Sequence, residues 1–478
     1  MSFAGLLLAT VALLYNPADW HHYPAMNSVQ AIAATSNRVY ITVPRGVYVF
    51  SRYGTEHLTT LTAADGIAGE ARFSAWNPAR NELLVVAESG LYSFIEEPHR
   101  VRPLDPPFTR ARSIGVSPSG VWFETEQGLF RRGRPGDEFV PAAELPPELD
   151  WHGARDTLNA RDFPQLAPFF VTDEQLITRD LHRTRLDPRS RRLYVAAGDY
   201  GVLVYNLASW FPERHLRFGP PPGRVRQVTR FEPDGTLWFL AGDHSLVVTP
   251  TNEWRYSRTR VADIILPPGL RRLAGVRELI SRAGLDLNAV IADSNRFVAA
   301  TRDGLFLFTG DGEPLRLPTG GREPLALAWS GPDTLLVGTD SGLLLLTDGA
   351  IAAVTDPFDR AGFGIYSIAV AEGGTRWLGA FGGILRQSPD GEWEHLIPPG
   401  FDLGRPVRAL AATDSALFFP TRDGLTVLDL RSGGWENIGL REGLPTTEVT
   451  ALYADERFLW IAGPGMLSRF DYRNGLPR

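Results

Sequence analysis

The sequence of 478 residues contains no cysteine. A disulfide framework, a thiol nucleophile and a cysteine-ligated zinc site are therefore excluded together. The nine histidines are dispersed, and the adjacent pair His21 and His22 would point to opposite faces of a strand, which is poor geometry for a shared metal ion. We expect no metal site and no cofactor.

Concentrated positive charge is also missing. The formal net charge is −7 and the 48 Lys and Arg residues are scattered along the chain. Binding to a phosphate backbone needs a concentrated basic surface. Nucleic acid is therefore not an expected partner.

The sequence lacks the common catalytic motifs, because neither G-x-S-x-G, a P-loop, H-E-x-x-H nor a dinucleotide fingerprint occurs in it. The segment 388–393 (SPDGEW) is similar to the Asp-box of sialidases, but it has no Thr before the Trp and its spacing is compressed. A turn stabilised by the Asp side chain explains this segment without catalysis. Paired carboxylates for glycosidic chemistry can be judged only from distances.

Long hydrophobic runs are rare. The longest, Phe3 to Tyr15, has 13 residues, which is short for a membrane span and typical of the apolar region of a signal peptide. A signal peptide would usually carry a basic residue before this run and a clear cleavage site after it, and both are lacking. We assign 1–18 to an apolar N-terminal segment that is either a signal peptide, an apolar strand or a misplaced start. No other segment approaches the length of a membrane span.

What the sequence does contain is a repeat, marked by a turn glycine that precedes a pair of mostly apolar residues. Its copies stand at Gly46, Gly90, Gly128, Gly201, Gly304, Gly342, Gly383, Gly424 and Gly465, with Ser245 in a degenerate copy. The last four are spaced evenly by 41 residues (342, 383, 424 and 465), the length of one four-stranded propeller blade. Asp-Gly and Asn-x turns between apolar stretches indicate that each unit is a meander of hairpins.

The repeats predict an all-β fold: a β-propeller of about ten four-stranded modules over 19–478, in one large ring or two smaller rings. The last module, near Phe470, has three strands and then stops, whereas Trp20 lies in a single strand without predecessors. We therefore predict that the N-terminal strand completes the last blade and removes its exposed edge.

Two insertions interrupt the repeat, at about 140–185 and about 255–285. The first either conceals a degenerate blade or forms a loop on one face. Within the second, the apolar period over 270–283 predicts one short helix. The basic face of that helix, with Arg271 and Arg282 among its members, could meet an acidic partner or lie in solvent.

The modules resemble the two-component regulator propeller repeat. The resemblance is carried by 443–455 (GLPTTEVTALYAD), 459–463 (LWIAG) and 465–471 (GMLSRFD), and the segment from Trp20 to Phe50 is similar to the start of PorZ-like propellers of type IX secretion. Several modules lack the Trp of the pattern. The resemblance covers most of the chain and implies a periplasmic or extracellular recognition or scaffold module, with no catalytic residue carried over.

Loops between the second and third strands emerge on one face of a propeller and are the first candidates for a binding site. We predict that a polar ligand such as a glycan fragment, or a partner protein, contacts them, although Asp before Gly is also favoured by such turns alone. A second candidate is Trp151 with His152 in the first insertion, where Trp151 could instead staple a loop to the propeller. The predicted loop residues are Arg45, Glu88, Asp199, Tyr200, Asp243, His244, Arg302, Asp303, Asp340, Arg422 and Asp423.

These observations favour a non-catalytic binding protein. The alternative is a carbohydrate-active propeller enzyme, either a glycosidase or a lyase. Two or more carboxylates, or a His, Tyr and Arg, that converge within hydrogen-bond reach around one cleft would favour the enzyme, whereas a broad, shallow rim of mixed charge would favour recognition.

Overall fold

The structure is a computed structural model. It describes residues 16, 19–26, 28–53, 56–133, 138–172, 178–220, 224–230, 235–241, 244–249, 254–258, 287–293, 296–309, 314–347, 349–355, 363–399 and 401–475. The apolar N-terminal run and the helix predicted over 270–283 lie outside these residues.

The described chain is a series of small antiparallel sheets, numbered here 1 to 10 in chain order. Sheet 1 contains β2 (Ala31–Ala34), β3 (Arg38–Val43), β4 (Gly46–Ser51) and β5 (His57–Leu61). Sheet 2 contains β6 (Ala71–Asn77), β7 (Glu82–Ala87), β8 (Gly90–Ile95) and β9 (Arg100–Leu104). Sheet 3 contains β10 (Ala111–Ser117), β11 (Gly120–Thr125), β12 (Gly128–Arg132), β13 (Val140–Pro141) and β14 (Asp150–Gly153). Sheet 4 contains β17 (Thr184–Asp187), β18 (Arg192–Ala196), β19 (Val202–Asn206) and β20 (Pro212–Leu216).

The next five sheets each have four strands in chain order. Sheet 5 contains β21 (Val225–Arg230), β22 (Leu237–Ala241), β23 (His244–Val248) and β24 (Trp254–Arg258). Sheet 6 contains β25 (Leu287–Ala292), β26 (Arg296–Thr301), β27 (Gly304–Thr309) and β28 (Leu315–Leu317). Sheet 7 contains β29 (Pro324–Trp329), β30 (Thr334–Thr339), β31 (Gly342–Thr347) and β32 (Ala350–Val354). Sheet 8 contains β33 (Ile365–Val370), β34 (Arg376–Ala380), β35 (Gly383–Gln387) and β36 (Trp393–Leu396). Sheet 9 contains β37 (Ala411–Ala412), β38 (Ala416–Thr421), β39 (Gly424–Asp429) and β40 (Trp435–Ile438).

Sheet 10 joins the two ends of the chain. It contains β41 (Ala451–Ala454), β42 (Phe458–Gly463), β43 (Met466–Asp471) and, as its fourth strand, β1 (Trp20–Pro24). Trp20 is the register partner of Phe470, and their ring centroids lie 4.3 Å apart. The predicted closure of the last module by the N-terminal strand is therefore confirmed.

Helical structure is short in the described residues. A single α-helix, Tyr472–Gly475, follows β43. The 3-10 helices are Ala63–Asp65, Ala160–Asp162, Pro164–Leu166, Gly198–Tyr200 and Leu440–Glu442.

The first insertion is more than a surface loop. It supplies the outer strand β13 and the inner strand β14 to sheet 3, so that this sheet has five strands where four were predicted. It then forms a separate pair, β15 (Phe170–Thr172) with β16 (Thr178–Asp180). Strand β14 also contacts β6 and β2, which places it among the first strands of the neighbouring sheets.

Contacts that involve first strands divide the sheets into two groups. In the first, sheet 1 contacts sheets 2 and 4, and sheet 3 contacts sheet 2. In the second, sheets 5 to 10 follow one another in contact, and β41 of sheet 10 also contacts β21 of sheet 5. Of the two arrangements left open by the sequence, these contacts favour two groups, here called the four-sheet group and the six-sheet group.

The burial of each strand explains how apolar its sequence is. Middle strands are covered on both faces by neighbouring sheets, as in β7, where all six residues are buried. Outer strands such as β32 are largely exposed. Hydroxyl groups connect neighbouring sheets: Thr42 Oγ1 of β3 lies 2.8 Å from Ser74 Oγ of β6, and the Ser367 hydroxyl of β33 donates to the Val407 carbonyl, which precedes β37, at 2.7 Å.

Candidate ligand-binding basin

The first strands of the six-sheet group line a common channel. Strands β21, β25, β29, β33, β37 and β41 all contribute to a cavity of about 280 Å³. At the end where these strands begin, the channel meets a wider cavity of about 1180 Å³, which we call the basin. Polar contacts fix neighbouring strands there: the Thr450 hydroxyl donates to the Val225 carbonyl, and Gln227 and Val290 exchange two hydrogen bonds of 2.7 and 2.8 Å.

Charged side chains of both signs line the basin. Its arginines outnumber its acidic residues, and most of them come from sheet 5 or from the segment that leads into sheet 9. The charged lining consists of Arg224, Arg226, Arg405, Arg408, Arg422, Asp402, Asp423 and Glu448. Such a mixed rim suits hydrogen bonding to a polar ligand.

Some of this charge is internally paired. Arg224 lies 3.3 Å from Glu448, and Arg405 lies 3.5 Å from Asp402, in both cases with exposed side chains. Exposed pairs of this kind are weak and can exchange partners. Among the described residues, Arg226 and Arg422 form no ion pair, and both are exposed.

Part of the lining is aromatic. Tyr366 and Phe401 line the basin, both of them half-buried. The Arg408 guanidinium lies 5.1 Å from the Tyr366 ring centroid, within the range of a cation–π contact. Phe381 meets the edge of Tyr366 at a centroid distance of 5.3 Å. The basin thus combines guanidinium groups with an aromatic wall.

Two of the predicted loop residues belong to the basin. Arg422 and Asp423 lie in the turn between β38 and β39, and both line it. The same pentapeptide, Thr-Arg-Asp-Gly-Leu, occurs at 301–305 in sheet 6. There Arg302 and Asp303 are exposed and are not among the described residues that line the basin. One sequence therefore occupies two different environments.

Three of the predicted acidic residues have local partners. Asp340 Oδ1 accepts hydrogen bonds of 3.1 Å from the Glu323 amide and from the Ser341 hydroxyl. Glu88 pairs with Arg72 at 2.8 Å, and Asp199 pairs with Arg179. Each of the three side chains thus has a partner within the protein, and a ligand contact for them stays a prediction.

The other predicted loop residues are dispersed. Tyr200 is buried and packs against His215 with ring centroids 4.0 Å apart, whereas Arg45 is exposed. Asp243 and the side chain of His244 lie outside the described residues. Of the predicted loop residues that the structure describes, only Arg422 and Asp423 line the basin.

Trp151 and His152, the second candidate, lie on β14 at the centre of the four-sheet group. Trp151 is half-buried under Arg155, whose guanidinium lies 4.5 Å from the ring centroid. Space for the Trp151 ring depends on Gly115, because a Cβ atom there would approach the ring to 3.1 Å. These contacts correspond to the stapling role that the sequence left open.

His152 is held away from the surface. Its side chain is 2% exposed, and Nε2 lies 3.3 Å from Arg185 Nη2. Burial, followed by the positive charge of Arg185, lowers the pKa of His152 well below its usual value. Arg185 itself pairs with Asp150. A neutral, buried imidazole is suited to packing, and a ligand contact for it stays a prediction.

Most residues of the basin were not predicted from the sequence. Four of its arginines precede or begin first strands (Arg224, Arg226, Arg405 and Arg408), whereas the predicted loop residues lie in turns between second and third strands. The available signal was local: 224–226 reads RVR and 405–408 reads RPVR. Antiparallel pairing brings the start of a first strand to the same face as the turn between strands two and three.

The segment 388–393 is a turn, as predicted, but a different side chain holds it. The Ser388 hydroxyl accepts a hydrogen bond of 3.1 Å from the Glu392 amide. Within the described residues, no three His, Asp or Glu side chains gather in a manner suited to a metal ion. No helix among those residues is long and apolar enough to cross a membrane.

Comparisons with known proteins give a likeness of fold. No protein-family model matches the sequence, and no curated protein matches it. Among solved structures, PorZ of Porphyromonas gingivalis, a surface component of the type IX secretion system, is 13% identical with a TM-score of 0.51, over 95% of this chain and 87% of that one. The extracellular domain of a putative one-component system from B. thetaiotaomicron gives 12% identity and a TM-score of 0.38, over 94% and 71%. Virginiamycin B lyase of Staphylococcus aureus gives 13% identity and a TM-score of 0.36, over 60% of this chain and 93% of that one. At this level of identity the comparison with PorZ shows that the chain is similar to that protein in fold.

Proposed function

We propose that the protein is a non-catalytic recognition propeller, acting outside the cytoplasm, that binds a polar ligand in the basin. One observation carries this proposal: the starts of six first strands converge on one cavity of about 1180 Å³ with a rim of mixed charge. Rigid sheets hold the lining in place, so little ordering is needed when a ligand binds. The fold shared with a secretion-system surface component is in keeping with a recognition or scaffold role.

A carbohydrate-active enzyme is the alternative. The basin contains Asp402, Asp423 and Glu448, but the first and last of these pair with arginines. No histidine is among the described residues of its lining. Binding without turnover therefore has the stronger support.

The repeated pentapeptide provides a matched experiment. Binding of maltohexaose, cellohexaose and oligogalacturonate would be measured by calorimetry on the full chain and on two double variants, Arg422→Gln with Asp423→Asn, and Arg302→Gln with Asp303→Asn. We expect the sheet 9 variant to lose about tenfold in affinity for whichever sugar binds, because charge-assisted hydrogen bonds are removed. The sheet 6 variant should bind as the unmodified protein does.

The same samples separate recognition from catalysis. After prolonged incubation, chromatography of the sugars should show them unchanged. Equal loss of binding in both variants would place the ligand elsewhere, and shortened or unsaturated products would show that the protein is an enzyme.

A further inference from the structure

The charge of the basin points to the chemical class of its ligand. Among the described residues, its lining has five arginines against three acidic residues, although the protein as a whole carries a net charge of −7. Positive charge is therefore concentrated at this cavity. Arginine presents several donors in a planar fork that matches carboxylate and phosphate groups.

Ion pairs within the basin account for only part of its charge. The contacts of Arg224 with Glu448 and of Arg405 with Asp402 engage two arginines and two carboxylates. The remaining charged lining is Arg226, Arg408 and Arg422 with Asp423. Three guanidinium groups thus stand against one carboxylate, which leaves an uncompensated positive charge within the cavity.

The arrangement of the arginines indicates more than one anionic contact. Arg226 lies on β21 of sheet 5, Arg408 precedes β37 of sheet 9, and Arg422 lies in the turn that follows β38. Sheet 10 separates sheet 5 from sheet 9 in the order of contacts. Donors held on two sheets that are not neighbours suit a ligand with several anionic groups, which could span them.

We propose that the basin selects a polyanion, a ligand with two or more carboxylate or phosphate groups. This inference rests on the proposed function and specifies the ligand class of the same site. The negative groups of the ligand bind between Arg226 and Arg422, and its uncharged part packs on Tyr366. The basin is larger than the 300–1,000 Å³ typical of pockets for drug-sized molecules, so it has room for a short oligomer.

The test compares three probes, each with three repeating units: trigalacturonate, tripolyphosphate and neutral maltotriose. We expect at least one of the two anions to bind at least tenfold more tightly than maltotriose. Its affinity should fall steeply between 50 and 500 mM NaCl, because salt screens exposed charges. Preference for trigalacturonate would identify a carboxylated sugar as the ligand, and preference for tripolyphosphate would identify a phosphorylated one.

Variants link this preference to the basin. Arg226→Gln and Arg422→Gln should each weaken binding of the preferred anion by about tenfold, whereas Arg302→Gln should leave it unchanged. Arg226 and Arg422 are exposed, and circular dichroism would verify that each variant is folded.

Three results would overturn the inference. If neither anion binds, or if Arg302→Gln weakens the anion as much as Arg226→Gln does, the basin does not select polyanions. If maltotriose binds as tightly as the anions and its affinity falls on replacement of Asp423 by Asn, the basin is a binding site without selection for charge. The proposed function would then stand while this inference fails.

Discussion

A buried ion pair between Arg52 and Asp187 joins sheets 1 and 4. The Arg52 Nε atom donates to Asp187 Oδ2 at 2.7 Å, and the two side chains are 4% and 6% exposed. Asp187 also accepts from the Ser190 hydroxyl, and Arg52 donates to the Ser36 carbonyl. The pair is therefore fully surrounded by hydrogen-bonding partners, which is the condition under which a buried ion pair is tolerated.

Removing one member of this pair should be costly. We expect Arg52→Met to lower the free energy of unfolding by about 3–5 kcal/mol, because Asp187 would remain buried without its counter-charge. The matched control is Arg72→Met, which removes the exposed pair with Glu88. We expect this variant to change the free energy of unfolding by about 1 kcal/mol or less. Urea denaturation measures both, and equal effects would contradict the assigned role of Arg52.

Histidine burial gives the protein a predicted sensitivity to acid. His22 is 4% exposed, its Nδ1 lies 2.9 Å from Ser468 Oγ, and burial lowers its pKa to about 4. Between pH 6.5 and 4 the unfolded chain binds a proton at His22 that the folded protein does not. The contribution of neutral His22 to the free energy of unfolding is therefore fully present above pH 6.5. It decreases as the pH falls, by up to about 3 kcal/mol at pH 4.

Thermal unfolding between pH 7 and 4 tests this linkage. His22→Gln, which cannot be protonated, should show a shallower decline of Tm than the unmodified protein. The pKa values of His21 and His57 are also lowered to about 4, so part of the decline should persist. His182→Gln, which alters an exposed side chain, should keep the full decline. An unchanged slope in His22→Gln would refute the prediction.

At the scale of the element, the marker glycines were the most informative signal in the sequence. Eight of the nine have positive φ, a conformation that L side chains rarely adopt. Gly46 is the exception, and there a Cβ atom would come within 2.3 Å of the Leu61 carbonyl oxygen. The backbone conformation of Gly46 does not require glycine, but the close approach of the fourth strand to the start of the third strand does.

Other elements could not have been read from the sequence. Strand β14 pairs with β10 across an intervening hairpin, and nothing in 150–153 (DWHG) distinguishes a central strand from a loop. The basin arginines come from segments that are distant in sequence and meet only through the order in which the sheets contact one another. Local patterns predict strands and turns, whereas contacts between sheets depend on the whole chain.

The joining of the two chain ends in sheet 10 can be tested by cross-linking. The chain has no cysteine, so a disulfide can form only between introduced residues. His22 and Ser468 are register partners in an antiparallel pair, within the Cα separation that a disulfide bridges. We expect His22→Cys with Ser468→Cys to oxidise almost completely within the monomer, with a faster band on a non-reducing gel.

The control moves one cysteine by one position. His21→Cys with Ser468→Cys should oxidise poorly, because neighbouring residues of a strand point to opposite faces. Equal oxidation of the two pairs, or none in either, would show that β1 does not hold this register.

At the scale of the whole molecule, aromatic side chains lie between the two groups of sheets. Tyr23 of sheet 10 packs against Trp254 of sheet 5 and His57 of sheet 1, with ring centroids 4.8 and 5.9 Å apart. Phe218, between sheets 4 and 5, contacts both His57 and Trp254. The N-terminal strand therefore completes sheet 10 and also contributes to the contact between the groups.

The central claim is that six sheets converge on one binding basin, and hydrogen–deuterium exchange with mass spectrometry tests it most directly. The protein would be compared with and without saturating trigalacturonate or tripolyphosphate. Slower exchange is expected in four segments that are separate in sequence and line the basin, 224–230, 402–410, 420–425 and 447–451, and unchanged exchange is expected at 301–305. Protection confined to the four-sheet group, or to the turn at 301–305, would contradict it.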